Sequence, residues 1–126
     1  MEKRRMFLLF SHKLTNDQIV DAKKMGVGDF IYLPEELQKK WSNVPPEIED
    51  LKEYARDFKE FLKEAKKGEF VLVQGDFGLV CKMVEFSKQK GLIPVYATTK
   101  RVSKEVKKNG KIIKISEFKH IRFRRY

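Results

Sequence analysis

The chain has 126 residues, of which 41% are hydrophobic and 37% are charged, and its only cysteine, Cys81, excludes an intramolecular disulfide framework. This length suits one domain, and the composition is too apolar for a disordered chain. The net charge of +10 is placed unevenly, because residues 1–97 hold 17 Lys and Arg against 16 Asp and Glu, whereas residues 98–126 hold 11 against 2. The basic C-terminal segment favours an anionic partner such as a nucleic acid, a nucleotide or an acidic protein. Alternatively, it is a solvated edge that discourages strand-to-strand aggregation.

The apolar runs of the chain are short. None reaches the ~18 residues of a membrane-spanning helix, and the stretch within MEKRRMFLLFSHK is too short for the hydrophobic region of a signal peptide. We therefore expect a cytoplasmic protein with no membrane partner, and a lone thiol suits that reducing compartment. Because Cys81 lies in the helical pattern FGLVCKMVEF, we expect it to be a buried small hydrophobe and not a nucleophile.

The first half of the chain predicts two strands and two helices. A continuous apolar run at residues 6–10 is typical of a strand that is covered on both faces. A capping box at Thr15 begins a helix that ends near Gly26. A short strand at residues 30–33 and a helix at residues 35–41 follow.

The second half continues the alternation of helices and strands. After a Pro-Pro break, apolar residues at three- and four-residue steps predict one long helix over residues 47–67. A strand at 70–73, a helix from Phe77 or Gly78 to residue 90 and a strand at 92–97 complete the pattern. This α/β alternation predicts a four-stranded, mostly parallel sheet flanked by helices. The expected strand order is the Rossmann-like or flavodoxin-like 2-1-3-4, with a switch point between the first and third strands.

The basic tail, residues 102–126, is predicted as an antiparallel β-hairpin extension. Two segments flank Asn109-Gly110, which is a strong signal for a two-residue hairpin turn, and residues 118–126 could form another strand. Such an appendage extends a sheet, covers a ligand or builds a dimer. Together with a Rossmann-like core at residues 1–101, it is expected to make a single α/β domain of all 126 residues.

Three of the predicted strands end in short polar motifs. Because the carboxyl ends of parallel strands meet at one edge of a sheet, these motifs could converge on one ligand site. A glycine-containing turn before a helix offers backbone N–H groups to phosphate, and the basic motif after the fourth strand is the best candidate for binding an anion. The motifs are Ser11-His12, Gln74-Gly75-Asp76-Phe77-Gly78 and Thr98-Thr99-Lys100-Arg101.

Each motif also has a purely structural interpretation. Asp76 is favoured as a helix cap, Ser11-His12 could orient the following turn, and residues 98–101 could be a turn into the hairpin. A Ser-His hydrolase pair is not expected, since neighbours on a strand point to opposite faces. The Gln74 to Gly78 motif is neither a Walker loop nor GxGxxG, and the spacing of His and Cys does not suit a metal site.

Trp41 and Asn43 lie beside the Pro-Pro break. Trp41, the only tryptophan, either fills the core or stacks on a base whose edge Asn43 reads. The residues themselves leave both interpretations open.

The strings LFSHKLT, IYLPEELQKKWSNVPPE, VLVQGDFG and YATTKR, in this order, resemble a family of small CRISPR-associated ancillary proteins of the Csx group. That family is linked to type III systems and regarded as ring nucleases. The resemblance implies a CARF-like Rossmann fold and a homodimer that shares a cyclic oligoadenylate, with cyclic tetra-adenylate expected. We expect no cofactor and no DNA partner. The implied ligand contacts are Ser11, His12, Trp41, Asn43, Gln74, Gly75, Asp76, Phe77, Gly78, Thr98, Thr99, Lys100 and Arg101.

The resemblance further implies metal-independent cleavage, in which a ribose 2′-hydroxyl attacks its own neighbouring phosphate and leaves a 2′,3′-cyclic phosphate. On this chain, His12 would transfer a proton, whereas Lys100 and Arg101 would stabilise charge on the phosphate. Two alternatives remain open at this point. One is a sensor or sponge that binds the ring without cleaving it, and the other is an adaptor that binds RNA or protein through the basic tail.

Overall fold

A computed structural model describes residues 3–126. Within that range the chain forms a mixed α/β fold with five strands in one sheet and four helices. In chain order the elements are β1 (Arg4–Leu9), α1 (Asn16–Lys24), β2 (Val27–Tyr32), α2 (Glu35–Ser42), α3 (Arg56–Phe61), β3 (Phe70–Val73), α4 (Phe77–Gln89), β4 (Ile93–Lys108) and β5 (Lys111–Arg125).

The sheet has the strand order β2-β1-β3-β4-β5. The pairs β1–β2, β1–β3 and β3–β4 are parallel, and β5 runs antiparallel to β4. The predicted order 2-1-3-4 of the parallel strands is therefore confirmed. The switch point lies between β1 and β3, because the chain moves outward from β1 to β2 and then returns to the other side of β1.

Two apolar clusters cover the two faces of the parallel strands. Met6 and Leu8 of β1 belong to one cluster, and the alternating residues Phe7 and Leu9 belong to the other. All four side chains are at most 3% exposed. Because successive side chains of a strand point to opposite faces, only a strand sandwiched between two layers can be apolar at every position. The continuous run in the sequence has this cause.

The first helix begins and ends where its sequence signals indicate. The Oγ1 atom of Thr15 accepts a hydrogen bond from the Gln18 N–H at 3.2 Å, and the Gln18 side chain accepts one from the Thr15 N–H at 2.9 Å. This reciprocal pair satisfies two N–H groups that a helix start otherwise leaves without acceptors. Gly26, at φ +94°, then reverses the chain into β2.

The predicted long helix over residues 47–67 is wrong. The segment consists mainly of turns, and α3 is its one short helix. The Asp50 side chain accepts a hydrogen bond from the Lys52 N–H at 2.8 Å, so a local turn competes with the start of a helix. After Phe61, the N–H groups of Leu62, Lys63 and Ala65 bond to carbonyls three residues back, which tightens the chain. Phe58 and Leu62 are nevertheless fully buried, so the pattern identified the apolar face but not the backbone.

The predicted break at residues 98–101 is also wrong. Strand β4 continues through these residues to Lys108, and β5 pairs with it from Lys111 to Arg125 as one strand. The expected Asn109-Gly110 turn is present, with φ values of +51° and +73°. Polar side chains are compatible with a strand that has no second layer over it, so polarity did not mark an end of the strand.

The β4–β5 hairpin extends far past the parallel strands. The last register partner of β4 on β3 is Val95, and beyond Ala97 the described strand pairs only with β5. We call residues 100–119 the arm. Apart from Val102, which is half-buried, every arm residue is exposed. At its base the hairpin is tied to the body, since Phe123 of β5 is buried in the core.

The expectation for Cys81 is wrong, because α4 places this cysteine on its exposed side. Among residues 3–126, no helix combines the length and apolar character needed to cross a membrane.

Candidate functional site

A cleft of about 330 Å³ opens at the carboxyl ends of β1 and β3. It lies at the switch point of the sheet, where open α/β sheets bind their ligands. The loop after β1, the end of α2 and the turn before α4 supply its walls. The lining residues are Ser11, Trp41, Ser42, Val44, Gly75 and Asp76.

The amino end of α4 adjoins this cleft. Asp76 caps the helix, because its carboxylate accepts a hydrogen bond from the Leu79 N–H at 3.1 Å, so the favoured interpretation of this side chain is confirmed. Phe77, the first residue of the helix, is 91% exposed. The first N–H groups of a helix lack intrahelical acceptors and carry a partial positive charge. Asp76 already uses the Leu79 N–H, so the remaining N–H groups at the start of α4 are the donors for an anion at the edge of the cleft.

Trp41 forms a wall of the cleft and is 1% exposed. Its Nε1 atom donates a hydrogen bond to the Gln74 carbonyl at 2.8 Å, and its ring packs edge-on against Phe58 with centroids 5.0 Å apart. The indole thus joins α2 to the turn after β3. This burial confirms the core-packing interpretation of Trp41 and contradicts stacking on a base.

Gly75 is required by this tryptophan. A Cβ atom on Gly75 would lie 2.7 Å from the Trp41 Nε1 atom, closer than any van der Waals contact permits. The residue is therefore explained by the close approach of the indole, independently of any ligand.

Asn43 lies outside the cleft lining. Its Nδ2 atom donates a hydrogen bond to the Lys39 carbonyl at 2.8 Å, which satisfies a free acceptor at the carboxyl end of α2. A base-reading role finds no support in this geometry.

The Gln74 side chain lies on the sheet rather than in the cleft. Its Oε1 atom accepts a hydrogen bond from the Ala97 N–H at 2.8 Å, and the backbone N–H of Gln74 donates to the Leu9 carbonyl at 3.1 Å. Gln74 thereby links β1, β3 and β4 where these strands diverge. Because this amide is engaged in the sheet, its predicted role as a ligand contact would require it to release Ala97.

Ser11 and His12 separate at the end of β1. Ser11 lines the cleft, and its carbonyl accepts a hydrogen bond from the Gln38 side chain at 3.4 Å. His12 is exposed and packs edge-on against Phe10 with ring centroids 5.3 Å apart. It is not among the residues that line the cleft.

The basic motif at residues 98–101 does not meet the other two. Thr98 donates a hydrogen bond from its hydroxyl to the Arg122 carbonyl at 2.8 Å, and Arg101 donates one to the Ser116 hydroxyl at 3.1 Å. Thr99 and Lys100 face β5 partners along the hairpin. Lys100 is five residues past Val95, which corresponds to roughly 16 Å of extended strand. In the described conformation these four residues belong to the hairpin and not to the cleft.

An ion pair that the sequence did not reveal ties β1 to the start of β3. Arg5 donates hydrogen bonds at 2.8 Å to both carboxylate oxygens of Glu69, and Glu69 also accepts from two backbone N–H groups. The guanidinium of Arg5 and these N–H groups lower the pKa of Glu69 from 4.5 to about 2. The two residues are 64 apart in sequence, so no local spacing could have identified the pair.

A second long-range pair anchors the hairpin to α1. The Asp21 carboxylate lies 2.9 Å from the His120 Nε2 atom and accepts a hydrogen bond from the Phe123 N–H at 3.2 Å. The His120 side chain is 5% exposed. This contact fixes the base of the hairpin against the body.

The end of β5 contacts β3. The Tyr126 hydroxyl donates a hydrogen bond to the Val73 carbonyl, and burial raises the pKa of this phenol. In the part of the chain that the structure describes, no three His, Cys, Asp or Glu side chains come together as metal ligands would.

Comparison with known proteins gives one family. The sequence profile described as "Uncharacterized protein MJ1673 family" matches residues 4–124. A relative described as "Uncharacterized protein MJ1673", from Methanocaldococcus jannaschii, is 59% identical over 124 residues, which cover 97% of this chain and 96% of the relative. No solved structure matches the chain.

Proposed function

The chain belongs to the uncharacterized protein MJ1673 family, and we propose that it is a ring nuclease that binds and cleaves a cyclic oligoadenylate, with cyclic tetra-adenylate as the expected ring. The cleft at the switch point carries this proposal. Its position at the carboxyl ends of β1 and β3 and the neighbouring amino end of α4 support binding of an anionic nucleotide. The resemblance of four ordered motifs to Csx-group proteins supplies the identity of the nucleotide.

The proposed fold type is Rossmann-like and CARF-like. The four parallel strands in the order 2-1-3-4 support it, since that order produces a single crevice at the switch point. In this proposal two copies of the chain bring their crevices together around a two-fold symmetric ring, and the protein acts as a homodimer.

The proposed chemistry is an intramolecular phosphoryl transfer. The ribose 2′-oxygen attacks the adjacent phosphorus and loses its proton to a base, while the bond from phosphorus to the 5′-oxygen of the next nucleotide breaks and that oxygen gains a proton. The products carry a 2′,3′-cyclic phosphate and a 5′-hydroxyl. His12 is proposed to move the proton, because imidazole is the commonest general acid and base in enzymes and His12 directly follows Ser11 of the cleft lining.

Lys100 and Arg101 retain their proposed role of stabilising charge on the phosphate. In the described conformation they lie along the hairpin, so this role requires the base of the hairpin to bend toward the ring, or the partner copy to contribute them.

A product assay tests the proposal. The protein is incubated in excess over cyclic tetra-adenylate with EDTA present, and the products are separated by chromatography. We expect linear or di-adenylate products with 2′,3′-cyclic phosphate ends. If the ring is still intact after hours under single-turnover conditions, the protein is not the proposed enzyme.

A matched pair of variants at Phe77 tests whether the cleft holds the phosphate. Phe77→Asp places a carboxylate at the first position of α4, where it suits the helix but repels a phosphate, whereas Phe77→Asn has nearly the same shape without the charge. We expect Phe77→Asp to bind the ring at least tenfold more weakly than Phe77→Asn. Equal affinities would place the ligand elsewhere.

Binding without cleavage is the second candidate function. It is favoured by the separation of His12, Lys100 and Arg101 from the residues that line the cleft. It predicts that the ring binds tightly and stays intact. The His12→Ala substitution then changes only the affinity for the ring. In the enzyme, His12→Ala slows cleavage much more than it weakens binding, and Lys13→Ala is the neighbouring control.

A further inference from the structure

The arm is a free-standing β-ribbon. Its first strand, residues 100–108, spans roughly 30 Å at the rise of an extended chain. Of its 20 residues, eight are Lys or Arg and two are Glu. No helix of the described chain covers either face, as the exposure of its side chains shows.

One face of the arm concentrates lysines. Alternate residues of a strand share a face, and so do residues paired across an antiparallel ladder. The register therefore places five lysines and one glutamate on the same side, which we call the lysine face. Its charged members are Lys100, Lys104, Lys108, Lys111, Lys119 and Glu117.

Two pairs on the lysine face oppose like charges. Lys100 pairs with Lys119 near the base of the arm, and Lys108 pairs with Lys111 at its tip. Directly opposed like charges destabilise a ladder, so this arrangement costs stability in the isolated chain. Within residues 3–126, none of the eight arm cations lies within 4.0 Å of a carboxylate. On the lysine face, therefore, no carboxylate of the described chain lies within this distance to neutralise a lysine.

Apolar residues between the lysines hold the ribbon together. Val106 and Ile113 are directly paired, and Val102 and Ile115 lie on the same face. Val106, Ile113 and Ile115 are each about 40% exposed, with values of 39%, 44% and 42%. A two-stranded ribbon is only marginally stable by itself, so these contacts and the Asn109-Gly110 turn maintain the arm while it has no partner.

We propose that the lysine face binds the phosphodiester backbone of a linear nucleic acid without reading its sequence. A polyanion relieves the two opposed lysine pairs, and neutralising phosphates releases counterions, which drives such binding. A second copy of the same face would add like charge and increase the repulsion. The lysine face lies along the arm, apart from the residues that line the switch-point cleft, and it shares only Lys100 with the proposed ring nuclease.

The test measures binding of a fluorescein-labelled 20-nucleotide oligouridylate by anisotropy, between 50 and 200 mM salt. This probe contains no adenine, so it does not mimic the cyclic ligand. A variant carries Lys104→Gln, Lys108→Gln, Lys111→Gln and Lys119→Gln, and leaves Lys100 in place. A control variant removes the same charge from the exposed body residues Lys23, Lys39, Lys52 and Lys63.

For four phosphate contacts, we expect the wild-type affinity to fall about 50-fold over this salt range, as the slope of about −0.7 per contact for single strands implies. The arm variant should bind at least tenfold more weakly than the control at 50 mM salt, with a flatter salt dependence. A 20-base-pair DNA duplex is the second probe. The probe that binds more tightly shows which nucleic-acid backbone the arm prefers. Both variants are compared with wild type by thermal melting.

Three results would overturn the proposal. The first is no measurable binding of either probe by the wild-type protein at 50 mM salt. The second is equal loss of affinity in the arm and control variants, which would make net charge the cause. The third is a change of oligomeric state, measured by sedimentation without nucleic acid. If the wild-type protein is a dimer and the arm variant is a monomer, the arm is an interface between copies.

Discussion

Glu69 shows how a single residue makes the fold sensitive to acid. Its pKa is about 2 in the folded chain, below the ordinary value of 4.5, because Arg5 and two backbone N–H groups stabilise the carboxylate. A lowered acid pKa contributes stability that is complete above the unfolded value and is lost as the pH falls through the folded value. The loss therefore falls between about pH 4.5 and pH 2.

We expect Glu69→Gln to lower the free energy of unfolding by about 3 kcal/mol at pH 7, since the pKa difference corresponds to roughly that much. The difference between wild type and variant should shrink as the pH falls from 4.5 toward 2. Urea titrations at several pH values measure it, with Glu47→Gln as the exposed control. A difference that does not change with pH would contradict the assignment.

Gly75 shows how a buried neighbour, and not a ligand, can require glycine. We expect Gly75→Ala to lower the free energy of unfolding by roughly 1–3 kcal/mol, because the added Cβ overlaps a buried indole that is held in place by its hydrogen bond to the Gln74 carbonyl. Gly78→Ala is the matched control, since its Cβ meets the flexible end of Leu51 at 3.2 Å. Denaturant titration compares the two. If both variants have the same stability, Trp41 has more freedom than its contacts indicate.

At the level of elements, the contact between α1 and β5 decides where the body ends and the arm begins. Asp21 accepts from His120 and from the Phe123 N–H, and both donors lie at the base of the hairpin. We expect Asp21→Ala to increase hydrogen exchange of the Phe123 amide at least tenfold, because that N–H loses its acceptor and β5 loosens. Amides in the arm should not change.

The control for this change is Asp17→Ala, on the same helix but exposed. Mass spectrometry of peptides that cover residues 120–126 and 100–119 distinguishes the two regions. Equal acceleration in Asp17→Ala would mean that the helix itself, and not the contact, governs β5.

The elements also show which sequence signals determine structure. Helix α1 and strand β3 were predicted closely because a capping box and a run of four buried residues act within a few residues of chain. The helix predicted over residues 47–67 is wrong because the apolar periodicity indicates which side chains are buried and not how the backbone runs. Turns at Asp50 and after Phe61 determine the backbone there. Local turns there compete with the helix that the periodicity predicts.

The sequence predicted one part of the candidate site correctly and another part wrongly. The strand ends at Ser11 and Gly75 meet, because parallel strands order their own carboxyl ends. The prediction that Lys100 and Arg101 lie beside them is not met in this structure, where both residues lie along the hairpin. When no layer covers a polar strand, its sequence does not indicate where the strand extends past the rest of the sheet. The contacts of Gln74 with Ala97 and of Trp41 with Gln74 span more than twenty residues each, and no pattern within one sequence encodes them.

At the scale of the whole molecule, the structure places the boundary between body and C-terminal extension differently from the sequence prediction. The boundary expected at residue 102 falls in the middle of β4, whereas the contacts place residues 120–126 with the body. Phe123 is 9% exposed within the core, and Tyr126 bonds to β3. The structure therefore predicts that only the arm is dispensable for folding, and two truncations test this.

We expect replacement of residues 100–119 by Asn-Gly to leave the free energy of unfolding within about 1 kcal/mol of wild type. Thr99 and His120 are register partners, so a two-residue turn can join them without displacing either strand. Deletion of residues 102–126 should instead lower the melting temperature by 10 °C or more, or prevent folding, because it removes Phe123 and Tyr126 and leaves β4 as an uncovered edge. Circular dichroism melts measure both. A replacement as damaging as the deletion would show that the arm supports the body.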